Sequence, residues 1–84
     1  MYKVIIPHRL QRRIRRLPGD VLIRLKRIIS EISKNPFMGK KLKGRYQDKY
    51  SVRLWPYRII YKIQKEELIV EVIEIEHRGR AYRK

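Results

Sequence analysis

Arg53 and Arg58 sit in the run YSVRLWPYRIIY from Tyr50 to Tyr61, and a second run, His77-Arg78-Gly79-Arg80-Ala81-Tyr82, lies close to the C-terminal end. Arginine suits a phosphate, because its planar guanidinium donates two parallel hydrogen bonds and stays charged. A histidine beside such a cluster can carry a proton near neutral pH. A tyrosine can stack on a base or donate its hydroxyl. No Ser-His-Asp or paired-carboxylate arrangement stands out, so chemistry here must run on Arg, Lys, His and Tyr. That set suits attack of an RNA 2′-hydroxyl on its adjacent phosphate. Arginines stabilise the charge that builds on the phosphate oxygens, while a base and an acid serve nucleophile and leaving group. No metal or cofactor is needed.

Each of these residues also has a plainer reading. Like charges facing each other across a sheet destabilise it. Arg53 and Arg58 therefore either splay into water or hold one anion jointly. His77 is either a proton carrier or an ordinary residue at a strand end. Arg78 and Arg80 are phosphate clamps or tail charge, and Tyr82 acquires meaning only from its neighbours. Lys49 and Lys62 extend the Arg53–Arg58 face. Ile60, Ile69, Ile73 and Ile75 share that face by alternation, which predicts either a covered surface or a strand buried on both sides.

Composition favours a polyanionic partner. The 84 residues hold 23 Lys+Arg against 8 Asp+Glu, a net charge of +15, so the field around the chain draws polyanions in a salt-dependent way. A membrane surface competes with nucleic acid for this role, but no helix pairs a wide apolar face with Trp or Phe anchors. A heavily charged, solvated surface is the remaining alternative. Five of the acids fall between Glu66 and Glu76, so the basic surface is mainly that of the helices and the first hairpin. With no Cys, and only His8 and His77 as nitrogen ligands, a metal site is not expected. The N-terminal apolar run is too short for a signal peptide or a membrane span, so the expected location is the cytoplasm.

One domain spanning 1–84 must position these groups. YKVII at 2–6 reads as a strand ended by Pro7. Leu10, Ile14 and Leu17 then recur at helical spacing from His8 to Leu17. The rest of that helix carries Arg9, Arg12, Arg13, Arg15 and Arg16; Arg12, Arg13 and Arg16 are candidate RNA contacts. Pro18-Gly19 breaks it, Asp20 is a candidate cap, and a second helix runs from about Val21 to Lys34. A loop anchored by Leu42 leads to strands at about 46–54, 57–64 and 67–77. If Trp55-Pro56 is a two-residue loop, then Leu54 faces Tyr57, Val52 faces Ile59, and Arg53 faces Arg58; proline at the second loop position requires either a cis bond or a longer loop, and a longer loop would shift that register. A similar two-residue loop at Lys65-Glu66 sets Ile63 against Leu68 and Tyr61 against Val70. The expected fold is α+β, βααβββ, with two N-terminal helices on one face of a small antiparallel sheet.

With these residues in view, the chain resembles the RelE/ParE superfamily of toxins from toxin–antitoxin systems, closest to the RelE branch. The resemblance spans nearly the whole chain. It rests on Lys41-Leu42-Lys43-Gly44, on Tyr50-x-x-Arg53-Leu54 followed by Tyr57-Arg58-x-x-Tyr61, and on the ending Arg78-Gly79-Arg80-Ala81-Tyr82. It implies an mRNA interferase that enters the ribosomal A site and leaves a 2′,3′-cyclic phosphate. Arg53 would then match a basic residue of the active site, Arg58 and Arg78 the phosphate-contacting arginines, and Tyr82 the tyrosine that stacks on the mRNA base. The family's best-known pattern has a Lys where Ser51 stands, with His77 or Lys49 as replacements. The implied partners are a cognate antitoxin, the ribosome and mRNA. The alternatives are a ParE-like poison of DNA gyrase without nuclease activity and a non-catalytic RNA- or ribosome-binding module.

Overall fold

Helical spacing and prolines set the first half of the chain. In the computed structural model, residues 1–81 are described, with side chains as far as Gly79. Strand β1 (Lys3–Ile5) leads through Pro7 into helix α1 (His8–Arg15), and helix α2 (Gly19–Lys34) follows Pro18. Helix α1 closes with a tighter turn, in which the Arg16 and Leu17 amides donate to the Arg13 and Ile14 carbonyls at 3.1 Å. That turn accounts for the apolar spacing continuing to Leu17 beyond the regular helix. Asp20 is not the cap. Helix α2 already begins at Gly19 with Pro18 at the capping position, and Asp20 lies in the first turn, where its carboxylate favours the positive end of the helix.

The sheet has five strands in the order β1-β5-β4-β3-β2: β1, then β5 (Ile69–His77), β4 (Tyr57–Gln64), β3 (Tyr50–Leu54) and β2 (Lys40–Lys41). It is mixed rather than wholly antiparallel, because β1 pairs parallel with β5, Lys3 opposite Ile69 and Ile5 opposite Glu71. Both helices and strands β2 to β4 lie between β1 and β5 in the chain, and this long connection brings β5 back parallel to β1. The strand expected from position 46 starts only at Tyr50. Gly44 and Asp48 take positive φ of 71° and 68°, and Gly44–Tyr46 form a 3₁₀ turn that keeps this stretch from extending. Leu42 is half-buried, and its backbone N–H donates a hydrogen bond to the Lys49 carbonyl at 2.8 Å.

The helices cover one face. Leu10, Val21, Leu25 and Ile32 pack there against Leu54, Ile59, Tyr61, Val70, Val72 and Ile75, all nearly or wholly buried. Burying side chains of this size contributes about 1.5–3 kcal/mol each, the main drive for so small a domain. Among the described residues, no helix is long and apolar enough to cross a membrane.

The first hairpin keeps its expected register. The Trp55–Pro56 bond is cis and the loop has two residues, so Leu54 opposes Tyr57, Val52 opposes Ile59, and Arg53 opposes Arg58. The second hairpin differs. Its turn takes in Leu68, which has a positive φ of 57°, and Ile63 opposes Val70 and Tyr61 opposes Val72. The register is therefore offset by two residues, which preserves the face. A β-bulge between Ile60 and Tyr61 then shifts it by one more, leaving Ile73 as the extra residue. From there to the strand end, β5 reverses its faces. Ile75 joins the core opposite Ile59, while Glu74 and Glu76 come to oppose Ile60 and Arg58. The isoleucine-covered outer surface is accordingly absent: Ile60 and Ile75 are buried, and Ile69 and Ile73 are partly so.

Candidate active site

The first hairpin, β2 and the end of β5 build one open cleft of about 360 Å³, lined by Lys40, Ser51, Arg53, Trp55, Tyr57, Arg58 and Arg78. Arg53 and Arg58 enter as cross-strand partners. Arg78 follows β5 directly, and its amide donates to the Pro56 carbonyl at 2.8 Å, tying the chain end to the hairpin turn. Its guanidinium lies 4.7 Å from the Trp55 ring centroid, a cation–π stack. Arg24 of α2 donates to the Trp55 carbonyl at 2.9 Å and steadies the turn from the other side.

The opposed arginines are relieved from behind. Arg58 Nε donates to Glu76 Oε1 at 3.1 Å, and the Tyr46 hydroxyl donates to Glu76 Oε2 at 2.8 Å. Arg45 stacks over the Tyr46 ring at 5.1 Å and approaches the same carboxylate at 3.9 Å. Burial, and then the bond to Glu76, push the Tyr46 hydroxyl above its ordinary pKa, so it stays protonated as a donor. Using Nε for Glu76 leaves the two terminal nitrogens of Arg58 for a bidentate grip on an anion.

His77 was expected on the arginine face, and the bulge puts it on the other. It opposes Tyr57, stacks edge-on against that ring at 5.1 Å, and its Nδ1 accepts from the Gly79 amide at 3.1 Å. There it lines a separate hollow beneath α1, with Arg13, Arg16 and Leu17 among its walls. Lys49 precedes β3 and does not line the cleft, and Lys62 lies farther along the hairpin opposite Glu71. Arg12 on α1 and Arg16 at its C-terminal cap are exposed, whereas Arg13 reaches the sheet, 2.6 Å from Glu74 and 2.7 Å from the Ile75 carbonyl. The side chain of Arg80 and all of Tyr82 lie outside the described residues.

Lys40 was missed from sequence. Strand β2 sets it directly opposite Ser51, on the face that carries Arg53 and Arg58. Two residues show no alternation, so the only sequence signal was the proximity of Gly39 and Leu42. Gly39 permits the close approach: a Cβ there would collide with the Tyr61 hydroxyl and stand 2.9 Å from the Ser51 carbonyl oxygen.

A cleft lined by four cations and an exposed indole, with no carboxylate among its described lining residues, is suited to hold a phosphate next to a base. Comparison with known proteins gives the family of the chain. Residues 5–82 match the model of the ParE toxin of the type II toxin–antitoxin system parDE. Toxin RelG of Mycobacterium tuberculosis is 28% identical over 76 residues, spanning 88% of this chain and 87% of that protein. Among solved structures, RelE in the archaeal RelE–RelB complex from Pyrococcus horikoshii superposes with a TM-score of 0.82 at 25% identity, covering 94% of this chain and 97% of that one. The isolated Escherichia coli RelE toxin superposes with a TM-score of 0.79 at 28% identity, covering 92% of this chain and 84% of that one. The chain belongs to the ParE toxin family of type II toxin–antitoxin systems, within the RelE/ParE superfamily and close to its RelE-type members.

Proposed function

We propose that this toxin is an mRNA interferase, a ribosome-dependent endoribonuclease that cuts mRNA in the A site. One observation carries the reading: Arg53, Arg58 and Arg78, from three separate places in the chain, line a single open cleft. In the reaction, the 2′-oxygen forms a bond to phosphorus and the bond from phosphorus to the 5′-oxygen breaks. The products are a 2′,3′-cyclic phosphate and a 5′-hydroxyl end. Charge grows on the non-bridging oxygens along the way, and guanidiniums already fixed in place stabilise it without reorganising. Arg58 is held by Glu76 and Arg78 by Trp55, so neither has to be ordered when RNA binds. Tyr82, beyond the described residues, is the proposed base-stacking group, and Arg80 and Lys62 are proposed to add backbone attraction.

The proposed partners are the ribosome, its mRNA and a cognate antitoxin, in the cytoplasm where translation occurs. The archaeal RelE is found with RelB. An antitoxin segment carrying acids over the cleft would neutralise four cations and exclude RNA together.

The test is to incubate purified toxin with programmed ribosomes and map the mRNA ends, with Arg58→Ala as control. Cuts within the A-site codon, lost in the variant, support the reading. The match to the ParE model favours one rival, a gyrase poison. Gyrase inhibition with intact mRNA would select it, and ribosome binding without either activity would select a binding-only module.

A further inference from the structure

We infer that Lys40 is the general acid of the cleft, giving its proton to the departing 5′-oxygen; this rests on the cleavage reaction proposed above. The departing oxygen is an alkoxide and needs a proton as its bond to phosphorus breaks. Three of the four cations around it are arginines, which hold charge but do not give up protons. A lysine ammonium has three donor protons on a flexible stem and can release one. Ser51 is too weak an acid for the task. Tyr57 also lines the cleft, but by register it belongs to the core face, opposing Leu54 and His77, and its ring packs edge-on against the histidine. His77 lines the other hollow. Lys40 remains.

The fold holds this lysine in place although its strand is only two residues long. Tyr61 is fully buried beneath it and donates its hydroxyl to the Pro36 carbonyl at 2.7 Å, fixing the turn that precedes β2. Phe37 in that turn packs edge-on against Tyr50 at 6.0 Å. On the far side, the Leu42 amide bonds the Lys49 carbonyl at 2.8 Å. Both flanks of Lys40 are thus tied to the base of β3, and its side chain rises beside Ser51, across the cleft floor from Arg53 and Arg58.

The step balances. The 2′-hydroxyl proton passes to water as the 2′-oxygen bonds phosphorus. The bond to the 5′-oxygen breaks, that oxygen takes a proton from the Lys40 ammonium, and the amine recovers one from solvent. Arg53, Arg58 and Arg78 hold the phosphate oxygens throughout.

A leaving group that needs no proton tests the assignment. Programmed ribosomes are loaded with mRNA carrying either the normal linkage or one with sulfur in place of the 5′-bridging oxygen, and single-turnover cleavage is followed. The wild type is expected to cut both. Lys40→Ala and Lys40→Arg are expected to cut the oxygen linkage about 10²–10⁴-fold more slowly, and the sulfur linkage within a few-fold of the wild type. Arginine keeps the charge and loses only the transferable proton, so its parallel behaviour isolates proton transfer. If wild type cuts and either variant matches it on oxygen, or is equally impaired on both linkages, Lys40 is not the acid. If the wild type cuts neither mRNA while bound to ribosomes, the cleavage reading itself falls and the assignment with it. Circular dichroism of both variants excludes misfolding, since Lys40 is exposed and wild-type spectra are expected; Lys40→Arg, which keeps the cleft charge, carries the comparison if Lys40→Ala binds ribosomes more weakly.

Discussion

Arg58 and Glu76 face each other across β4 and β5 because Ile73 is bulged out of the ladder between them and the strand turn. In the register that precedes the bulge Glu76 would oppose Tyr57 on the helix side, and Arg58 would lie between Arg53 and Ile75 with no acid opposite it. The pair is well made, 3.1 Å between Nε and Oε1, with the carboxylate mostly shielded and the guanidinium about one-third exposed at 35%. Glu76 therefore acts on the cleft through Arg58 rather than on a substrate. Glu76→Gln is expected to lower the cleavage rate roughly tenfold, equivalent to ~1.4 kcal/mol of transition-state stabilisation, while RNA affinity holds or rises with the added net charge. Stability should fall by about 1 kcal/mol, less than for a fully buried charged bond because solvent screens the arginine. Single-turnover rates and urea melts measure the two effects. A variant that cleaves at the wild-type rate would show that Arg58 needs no second group.

Trp55 is the chain's one tryptophan and stands half-exposed, at 50%, under the Arg78 guanidinium. Its emission is expected to report on occupancy of the cleft directly. Titration with a short single-stranded RNA should change the fluorescence, and the apparent affinity should fall linearly with log salt concentration. Removing Arg53 or Arg58 by alanine substitution should each reduce that slope by about 0.7, one phosphate contact on a single strand. A Trp55 signal unchanged at saturating RNA would place the binding surface elsewhere, most simply on α1.

The arginines of α1 divide by what they touch. Arg9 donates to the Ile73 carbonyl at 2.8 Å, and Arg13 holds Glu74 and the Ile75 carbonyl. Together they bracket the bulge that turns Glu76 toward Arg58. Arg13→Ala is expected to destabilise the fold by about 1–2 kcal/mol, two charge-assisted bonds discounted for partial exposure. Arg12→Ala and Arg16→Ala, both on exposed surface, should stay within about 0.5 kcal/mol of wild type. Denaturant midpoints order the three variants, and equal midpoints would mean the bracket contributes nothing.

The parts of the site legible in the sequence are those whose spacing admits one register. Strand β3, a two-residue loop and strand β4 keep one core-face alternation, Tyr50, Val52, Leu54, Tyr57, Ile59, Tyr61 and Ile63, so Arg53 and Arg58 could be paired from the letters alone. Strand β5 could not be read as well. In VEVIEIEH the apolar residues fit either face near Ile73, and no Gly or Pro marks the bulge. One unmarked residue moved His77 out of the cleft and brought Glu76 behind it. Lys40 was hidden for another reason. A strand of two residues has no period, and its place beside Ser51 depends on Gly39 passing over a tyrosine twenty-two positions away in the sequence.

That tyrosine gives the last prediction. Tyr61 is completely buried with its hydroxyl on the Pro36 carbonyl, and burial pushes its pKa from 10.0 up to about 12. The folded state therefore keeps the phenol proton where the unfolded chain has lost it. Its contribution to stability is complete below pH 10.0 and is lost as pH rises toward about 12. Urea midpoints should hold up to the lower value and then decline, with the Tyr61 phenolate absorbance appearing only as the protein unfolds. Tyr61→Phe should be less stable at neutral pH by about 1 kcal/mol, the value of the lost hydrogen bond. Its alkaline decline should be shallower, and the portion that persists belongs partly to Tyr46, whose pKa is raised in the same direction. Equal alkaline slopes for wild type and Tyr61→Phe would mean that Tyr61 titrates alike in both states. The floor beneath β2 would then be open to water, and the packing that holds Lys40 in register would have to come from Phe37 and Tyr50 alone.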